Sequence, residues 1–158
     1  MQNAYFRRMK IGILSDTHGL LRPEALDALQ GVDHILHAGD VGDPAILDRL
    51  ASLAPLTVVR GNIDKGPWAQ ALPLTAVAEV GGRFFYLLHD IAQLDLDPAA
   101  AGFDVVVFGH SHRPADDMRD GVRYLNPGSA GPRRFSLPTT LVRMDPRTLV
   151  PDFIHLTT

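Results

Sequence analysis

The chain has no cysteine in its 158 residues. Disulfides and thiolate metal sites are therefore excluded, and any bound metal must be held by nitrogen and oxygen. Lysine is scarce, with two residues against thirteen arginines. Aromatic residues make up 7% with one tryptophan, Trp68, too few for a base-stacking channel. The net charge of -3 gives no basic footprint for nucleic acid. No apolar run approaches the roughly 20 residues of a membrane span. The opening MQNAYFRRMK carries charge but no apolar h-region, which is not the pattern of a signal peptide. The expectation is a cytoplasmic protein with neither membrane nor nucleic acid as partner. One domain is expected over residues 1–158, with residues 1–8 as a flexible N-terminal extension.

What is present begins with alternation of strand and helix. MKIGILS (9–15), VDHILHA (32–38) and LTVVR (56–60) are apolar runs of strand length. PEALDALQ (23–30) has helical spacing with Pro23 at the first helical position, and Asp43-Pro44 reads as a cap opening a helix over 44–53. This β-α-β-α-β order predicts a parallel sheet with right-handed crossovers. The second half differs. LTAVAEV and RFFYLLH flank Gly81-Gly82, while PADDMR and VRYLN flank Asp120-Gly121, both hairpin signals. A short helix near 97–102 precedes DVVVFG, and TTLVRMD and TLVPDFIHL flank a turn at Asp145-Pro146. The predicted fold is α/β, two mixed β-sheets packed face to face and flanked by helices.

The strand ends share one kind of residue. They carry Asp16-Thr17-His18, then Gly39-Asp40, then Gly61-Asn62, then His89, and finally Gly109-His110-Ser111-His112. Ligands of open α/β sheets bind outside the carboxyl ends of strands. Singly, each residue has an ordinary reading: Asp16 as a helix cap, Asn62 as a turn residue, His89 as a core histidine. Jointly, two carboxylates, one amide and four imidazoles at five strand ends predict a metal site. Seven ligands exceed the four of a structural zinc. They suit two metals sharing a bridging carboxylate, the arrangement of many phosphatases and nucleases. Hard oxygens mixed with imidazole suit Mn, Fe(II), Zn, Co or Ni.

The succession D-x-H, G-D, G-N, strand-end His and G-H-S-H lies within residues 11–134. With the R-P after His112 and N-P-G-S at 126–129, it resembles the calcineurin-like metallophosphoesterases, in their small single-domain phosphodiesterase branch. The resemblance implies a four-layer α/β/β/α sandwich. It implies that Asp16, His18 and His112 bind one metal, that Asn62, His89 and His110 bind the other, and that Asp40 bridges both. The cofactors it implies are two divalent transition metal ions, Mn first, with Zn, Fe, Ni or Co as alternatives. The implied reaction is hydrolysis of a small phosphate ester, foremost a phosphodiester, by a hydroxide bridging the two metals, with Asp40, Asn62, His89 and His110 as the catalytic centre.

Two positions depart from the pattern. Catalytically strong members carry a His directly after Gly-Asn that helps protonate the leaving group, and here that position is Ile63. Most members have Gly after the fourth-motif His, where this chain has Asp90. An added carboxylate there is expected either to tighten the site and orient His89 or to face solvent.

Among the remaining candidates, Arg113, Arg133 and Arg134 are placed to hold phosphoryl oxygens, since a guanidinium matches phosphate in a bidentate way. His37 is expected beside the site, His34 and His155 as structural residues, and Asn126 as the shaper of a turn. The alternative function is a non-catalytic metal-binding scaffold of the same fold, like the retromer subunit, acting through protein–protein contacts. Ile63 suits that reading. A retired site, however, sheds costly charged ligands, and here all seven remain. A homo-oligomer stays open.

Overall fold

The computed structural model describes residues 8–156. Residues 1–7 of the expected extension lie outside the described residues. In chain order the strands are β1 (Ile11–Leu14), β2 (His34–His37), β3 (Leu56–Val58), β4 (Thr75–Val80), β5 (Arg83–Leu88), β6 (Val105–Val107), β7 (Ala115–Arg119), β8 (Val122–Asn126), β9 (Thr140–Met144) and β10 (Pro151–His155). The α-helices are α1 (Pro23–Ala28), α2 (Pro44–Ala51), α3 (Pro67–Gln70) and α4 (Pro98–Ala101), with a 3₁₀ turn at Ile91–Gln93.

Two mixed five-stranded sheets result, in the orders β10-β9-β1-β2-β3 and β4-β5-β6-β8-β7. In the first, β1, β2 and β3 run parallel, with Ile11 beside His34 and Leu36 beside Thr57. In the second, β5, β6 and β8 run parallel, with β4 and β7 antiparallel at the edges. The parallel strands read as unbroken apolar runs because both faces are covered. Ile11 and Ile13 of β1 enter the core between the sheets, with Leu36, Phe85, Leu87, Val105 and Val107. Leu14 and Ile35 face outward onto Ala25, Leu29, Ile46 and Leu50 beneath α1 and α2. Each of the larger of these side chains, Leu, Ile, Val or Phe, contributes about 1.5–3 kcal/mol when removed from water.

The outer face of the second sheet carries Tyr86, Leu88, Val106, Val122 and Tyr124, covered by Ile91, Leu94, Leu96 and Phe103. That fourth layer is thin, made of the 3₁₀ turn, the one-turn α4 and the coil between them. The predicted helix at 97–102 is α4, capped by the Asp97 side chain on the amides of Ala99 and Ala100 and stopped by left-handed Gly102. The Asp43 cap on Ala45 and Pro44 at the first helical position also form, and α2 stops at Ala51 rather than at 53. The Asp120-Gly121 hairpin has both turn residues at positive φ, 52° and 79°, as its turn type requires. The helix α3 was not predicted. Strand β10 starts later than its predicted segment, at Pro151, a residue tolerated on a sheet edge. Among the described residues, no helix is long and apolar enough to cross a membrane.

The parallel strands β1, β2, β3, β5 and β6 end on one rim shared by both sheets, where their loops meet.

Candidate metal centre

The loops after the parallel strands are tied together by hydrogen bonds. Asp16 donates its amide to Gly39 O at 3.0 Å and His18 to Asp40 O at 2.9 Å, which joins the loops after β1 and β2. The amide of Gly109 reaches His89 O at 2.9 Å, which joins the loops after β5 and β6. The Asp64 carboxylate accepts three amides, from Val41 at 3.2 Å, Gly42 at 2.9 Å and Gly61 at 2.9 Å, and so joins the loops after β2 and β3. Two glycines let the loops approach this closely. A β-carbon at Gly61 would overlap Asp40 Oδ1, and one at Gly109 would overlap Ser15 Oγ.

The backbone is forced at the candidate ligands. Asp16, His18, Asp40, His110 and His112 all take positive φ, between 46° and 74°. They are five of the eight non-glycine residues that do so among those described. An L-residue held there costs about 1–2 kcal/mol, and such strain clusters at functional sites.

Six of the seven candidates meet through the carboxylates of Asp16 and Asp40 or the imidazoles around them. Asp40 Oδ2 lies 3.2 Å from His18 Nε2 and 3.2 Å from His89 Nε2. Asp16 Oδ1 lies 3.4 Å from His112 Nε2, 3.5 Å from His18 Nε2 and 3.9 Å from His89 Nε2. The His89 and His110 rings meet edge to face at 5.2 Å. Asn62 joins through Oδ1, 3.2 Å from His110 Nδ1. Asp16, Asp40 and His89 are buried, whereas the His110 side chain is 48% exposed.

The fit to a cation rests on unpartnered atoms. Five buried side-chain polar atoms lack a hydrogen-bond partner among the described residues. Three of them, Asp16 Oδ1, His18 Nε2 and His89 Nε2, are the atoms that face one another here, and a fourth is His112 Nδ1, on the ring whose Nε2 faces Asp16. Leaving such atoms bare costs about 1–3 kcal/mol each. Two donors about 2.1 Å from one ion, at angles between tetrahedral and octahedral, stand about 3.0–3.4 Å apart, and the closest pairs here are 3.2–3.5 Å apart. The tautomer of His89 agrees. Its Nδ1 donates to Ala38 O at 2.8 Å, which leaves a lone pair on Nε2, the atom facing Asp40.

His37 is excluded from this role although it too sits at a strand end. Its Nδ1 accepts the Gly39 amide at 3.1 Å, so Nε2 carries the proton and donates to Thr17 Oγ1 at 3.1 Å. Burial pushes its pKa down to about 4. It is a neutral brace between the first two loops.

The electrostatics are those of a site prepared for positive charge. Burial pushes the Asp16 carboxyl up, but its contacts to His18 and Ser15 and the charges of His89 and His112 outweigh burial and hold it below the ordinary range. Asp40 is lowered likewise, with burial outweighed by His89, the Ile63 amide and His18. Burial pulls His89 down, but Asp40 and Asp16 raise it overall. For His112 burial dominates and lowers the pKa, assisted by the charge of Arg134.

The arginines separate. Arg134 is near enough for its charge to act on His112. Arg133 is its exposed neighbour. Arg113 is exposed and donates its amide to Ser111 Oγ at 3.2 Å. On the other side of the centre lies an open cleft of about 260 Å³, whose walls include Arg60, Asn62, Leu74, His89, Asp90, Gln93 and His110. Arg60 and Gln93 were not singled out in the sequence, and neither was Ser15, which donates to Asp16 Oδ2 at 2.7 Å. Asp90 does not touch His89. It caps the 3₁₀ turn through Oδ1 and turns Oδ2 toward His110. Asn126 shapes the last loop as expected, with Nδ2 on Gly109 O and Ser111 Oγ and Oδ1 on the Gly128 amide. His34 bonds Thr57 Oγ1 at 2.8 Å.

Two facing sheets that present carboxylates and imidazoles on one rim define a protein able to hold divalent cations at strand ends. The chain belongs to the calcineurin-like phosphoesterase superfamily, whose domain pattern matches residues 9–148. It is 36% identical over 160 residues to a probable metallophosphoesterase of Methanothermobacter thermautotrophicus, covering 93% of this chain and 92% of that one. Among solved structures it is similar to an archaeal phosphodiesterase, with a TM-score of 0.80 at 24% identity over 94% of this chain and 100% of that one. It is also similar to Vps29 of Entamoeba histolytica in complex with zinc, with a TM-score of 0.70 at 25% identity over 87% of this chain and 86% of that one. The archaeal likeness is one of fold.

Proposed function

We propose that the protein is a metal-dependent phosphodiesterase that works with two divalent ions, Mn first among them. The observation that carries this reading is the convergence of three buried, unpartnered atoms, Asp16 Oδ1, His18 Nε2 and His89 Nε2, around Asp40 Oδ2, with His112 Nε2 3.4 Å from Asp16 Oδ1. Asp16, His18 and His112 would hold one ion, and Asn62, His89 and His110 the other. Asp40 would serve both, because its Oδ2 is equidistant from His18 and His89. Asp16 Oδ1 is nearer His112 and His18 than His89, which favours a role on one side only. When bound, two such ions supply an acidified water as nucleophile and charge to stabilise the phosphoryl oxygens.

The chain's own residues do the rest. His89 is locked by Ala38 O so that its lone pair faces the centre. Asn62 orients the exposed His110 through Nδ1. Arg134 stands on the His112 side, where a guanidinium can take a non-bridging oxygen. The cleft on the His110 side admits the ester group. Ile63 offers no proton to the leaving oxygen, so water must supply it.

The experiment is to strip the protein of metal, reload it with Mn, count the ions, and assay bis(p-nitrophenyl) phosphate beside a monoester panel. Two ions per chain with turnover of the diester support the proposal. The zinc-bound Vps29 neighbour favours one second reading, a metal-holding scaffold. Two ions without hydrolysis of any ester would decide for it. A protein that takes up no metal would overturn both.

A further inference from the structure

His89 and Asp90 are consecutive, yet they do different things. Asp90 Oδ1 accepts the Ala92 amide at 3.0 Å and caps the 3₁₀ turn. That bond orients the carboxylate at the head of the turn. The other oxygen, Oδ2, lies 4.0 Å from His110 Nε2, with the side chain 30% exposed. At 4.0 Å there is no hydrogen bond, and His110 already takes its orientation from Asn62. Asp90 is thus neither a strut for His89 nor one for His110. What remains is its charge, standing in the cleft wall beside an exposed candidate ligand.

Whatever enters this cleft is attached to phosphorus. A phosphodiester carries one negative charge. A phosphomonoester carries close to two at neutral pH, its second pKa being about 6. A fixed carboxylate repels the second about twice as strongly as the first. Arg60, in the same wall, attracts both and the dianion more, so the contribution of Asp90 is the difference that substitution at position 90 isolates.

We propose that Asp90 is a specificity-determining residue that selects phosphodiesters over phosphomonoesters by charge. The inference rests on the reading of the centre as a phosphoesterase site. Its magnitude follows from Coulomb's law. A unit charge pair about 5 Å apart in water-like surroundings changes binding about fourfold, so a dianion is affected about sixteenfold.

The test uses metal-loaded wild type, Asp90→Asn and Asp90→Ser, both of which keep a capping oxygen for Ala92. Binding of dimethyl phosphate and of methyl phosphate is measured by calorimetry at pH 8, with the metal content of each protein. The expected result is a gain of about fourfold for the monoanion and about sixteenfold for the dianion in both variants. The second gain is the square of the first, a relation that a merely structural role would not produce. The diester-to-monoester ratio of kcat/KM should fall by about fourfold with it. Equal gains for the two ligands would overturn the inference, as would loss of one metal ion in the variants, which would make Asp90 a ligand. If neither ester binds metal-loaded wild type, the phosphoesterase reading itself fails and takes this inference with it.

Discussion

Oδ2 of Asp40 and Nε2 of His89 face each other at 3.2 Å without forming a hydrogen bond. Asp40 follows β2 of one sheet and His89 follows β5 of the other, so the contact spans the seam between the sheets. The same oxygen stands 3.2 Å from His18 Nε2. A carboxylate oxygen flanked at equal distance by two imidazole nitrogens is placed to serve a cation on either side.

Asp40→Asn tests that role. An amide oxygen can still accept the Ile63 amide, now 3.0 Å from Asp40 Oδ1, so the metal-free fold should stand unchanged in urea unfolding. Metal content should fall to one ion or fewer. Diester hydrolysis should drop by at least about 100-fold, beyond the range seen when only an outer partner of a ligand is lost. A variant that keeps two ions and most of its activity would show that Asp40 does not bridge.

Much of this centre was legible because its ligands sit at strand ends, and the parallel strands announce themselves as unbroken apolar runs between turn residues. Asp16, Asp40 and His110 could be placed by that logic alone. Asp64 could not, because what it does is accept amides from Val41 and Gly42, some 20 residues earlier, as well as from nearby Gly61. His37 and His89 look alike in the sequence, each at the end of a strand. Only their partners separate them: Gly39 and Thr17 use both nitrogens of His37, while Ala38 O uses only one of His89. The helix α3 was missed because a single turn has too few residues to show a period. Asp90 faces His110 rather than its neighbour His89 because it must also cap a turn, a constraint visible only once that turn exists.

His37 predicts a pH dependence of stability. Its imidazole titrates near 6.5 when unfolded and at about 4 when folded, because burial disfavours the cation. Between those values the unfolded chain binds the extra proton, so stability falls as the pH drops from 6.5 toward 4 and the effect ends below that. The full effect is about 3 kcal/mol. Urea unfolding of metal-free wild type and His37→Gln across pH 4–8 isolates it. The variant should be less stable at pH 8 and should lose less than wild type on acidification. Parallel profiles would refute the assignment.

Phe135 predicts a gain. It is 94% exposed and holds φ of 52° in a turn closed by Leu137 N on Arg134 O at 3.0 Å. A bulky residue in that conformation is strained, and no packing offsets the strain. Asn adopts it readily. Phe135→Asn should therefore stabilise the protein by about 0.5–1 kcal/mol, measured as a higher urea midpoint at unchanged slope. A lower midpoint would mean that the ring makes contacts which its exposure denies.

Ile63 predicts which esters the enzyme handles well. Its amide bonds Asp40 Oδ1 and its side chain is 37% exposed, so position 63 borders the centre but presents only carbon. Protonating the leaving oxygen typically contributes about 10²–10⁴-fold. A nitrophenolate leaves as a stable anion and needs little of that help, whereas an alkoxide needs most of it. Wild type should hydrolyse activated aryl diesters well and alkyl diesters poorly, with rates falling steeply as the leaving-group pKa rises. Ile63→His keeps the backbone amide and adds a proton donor at the rim. Its rates on alkyl diesters should rise by at least about tenfold, with little change on nitrophenyl diesters, so that the dependence on leaving-group pKa becomes shallower. Metal content must match wild type, since an added imidazole can also recruit an ion. If the two slopes are equal while a structure of the variant shows the new imidazole facing the centre, leaving-group protonation at position 63 does not limit the reaction.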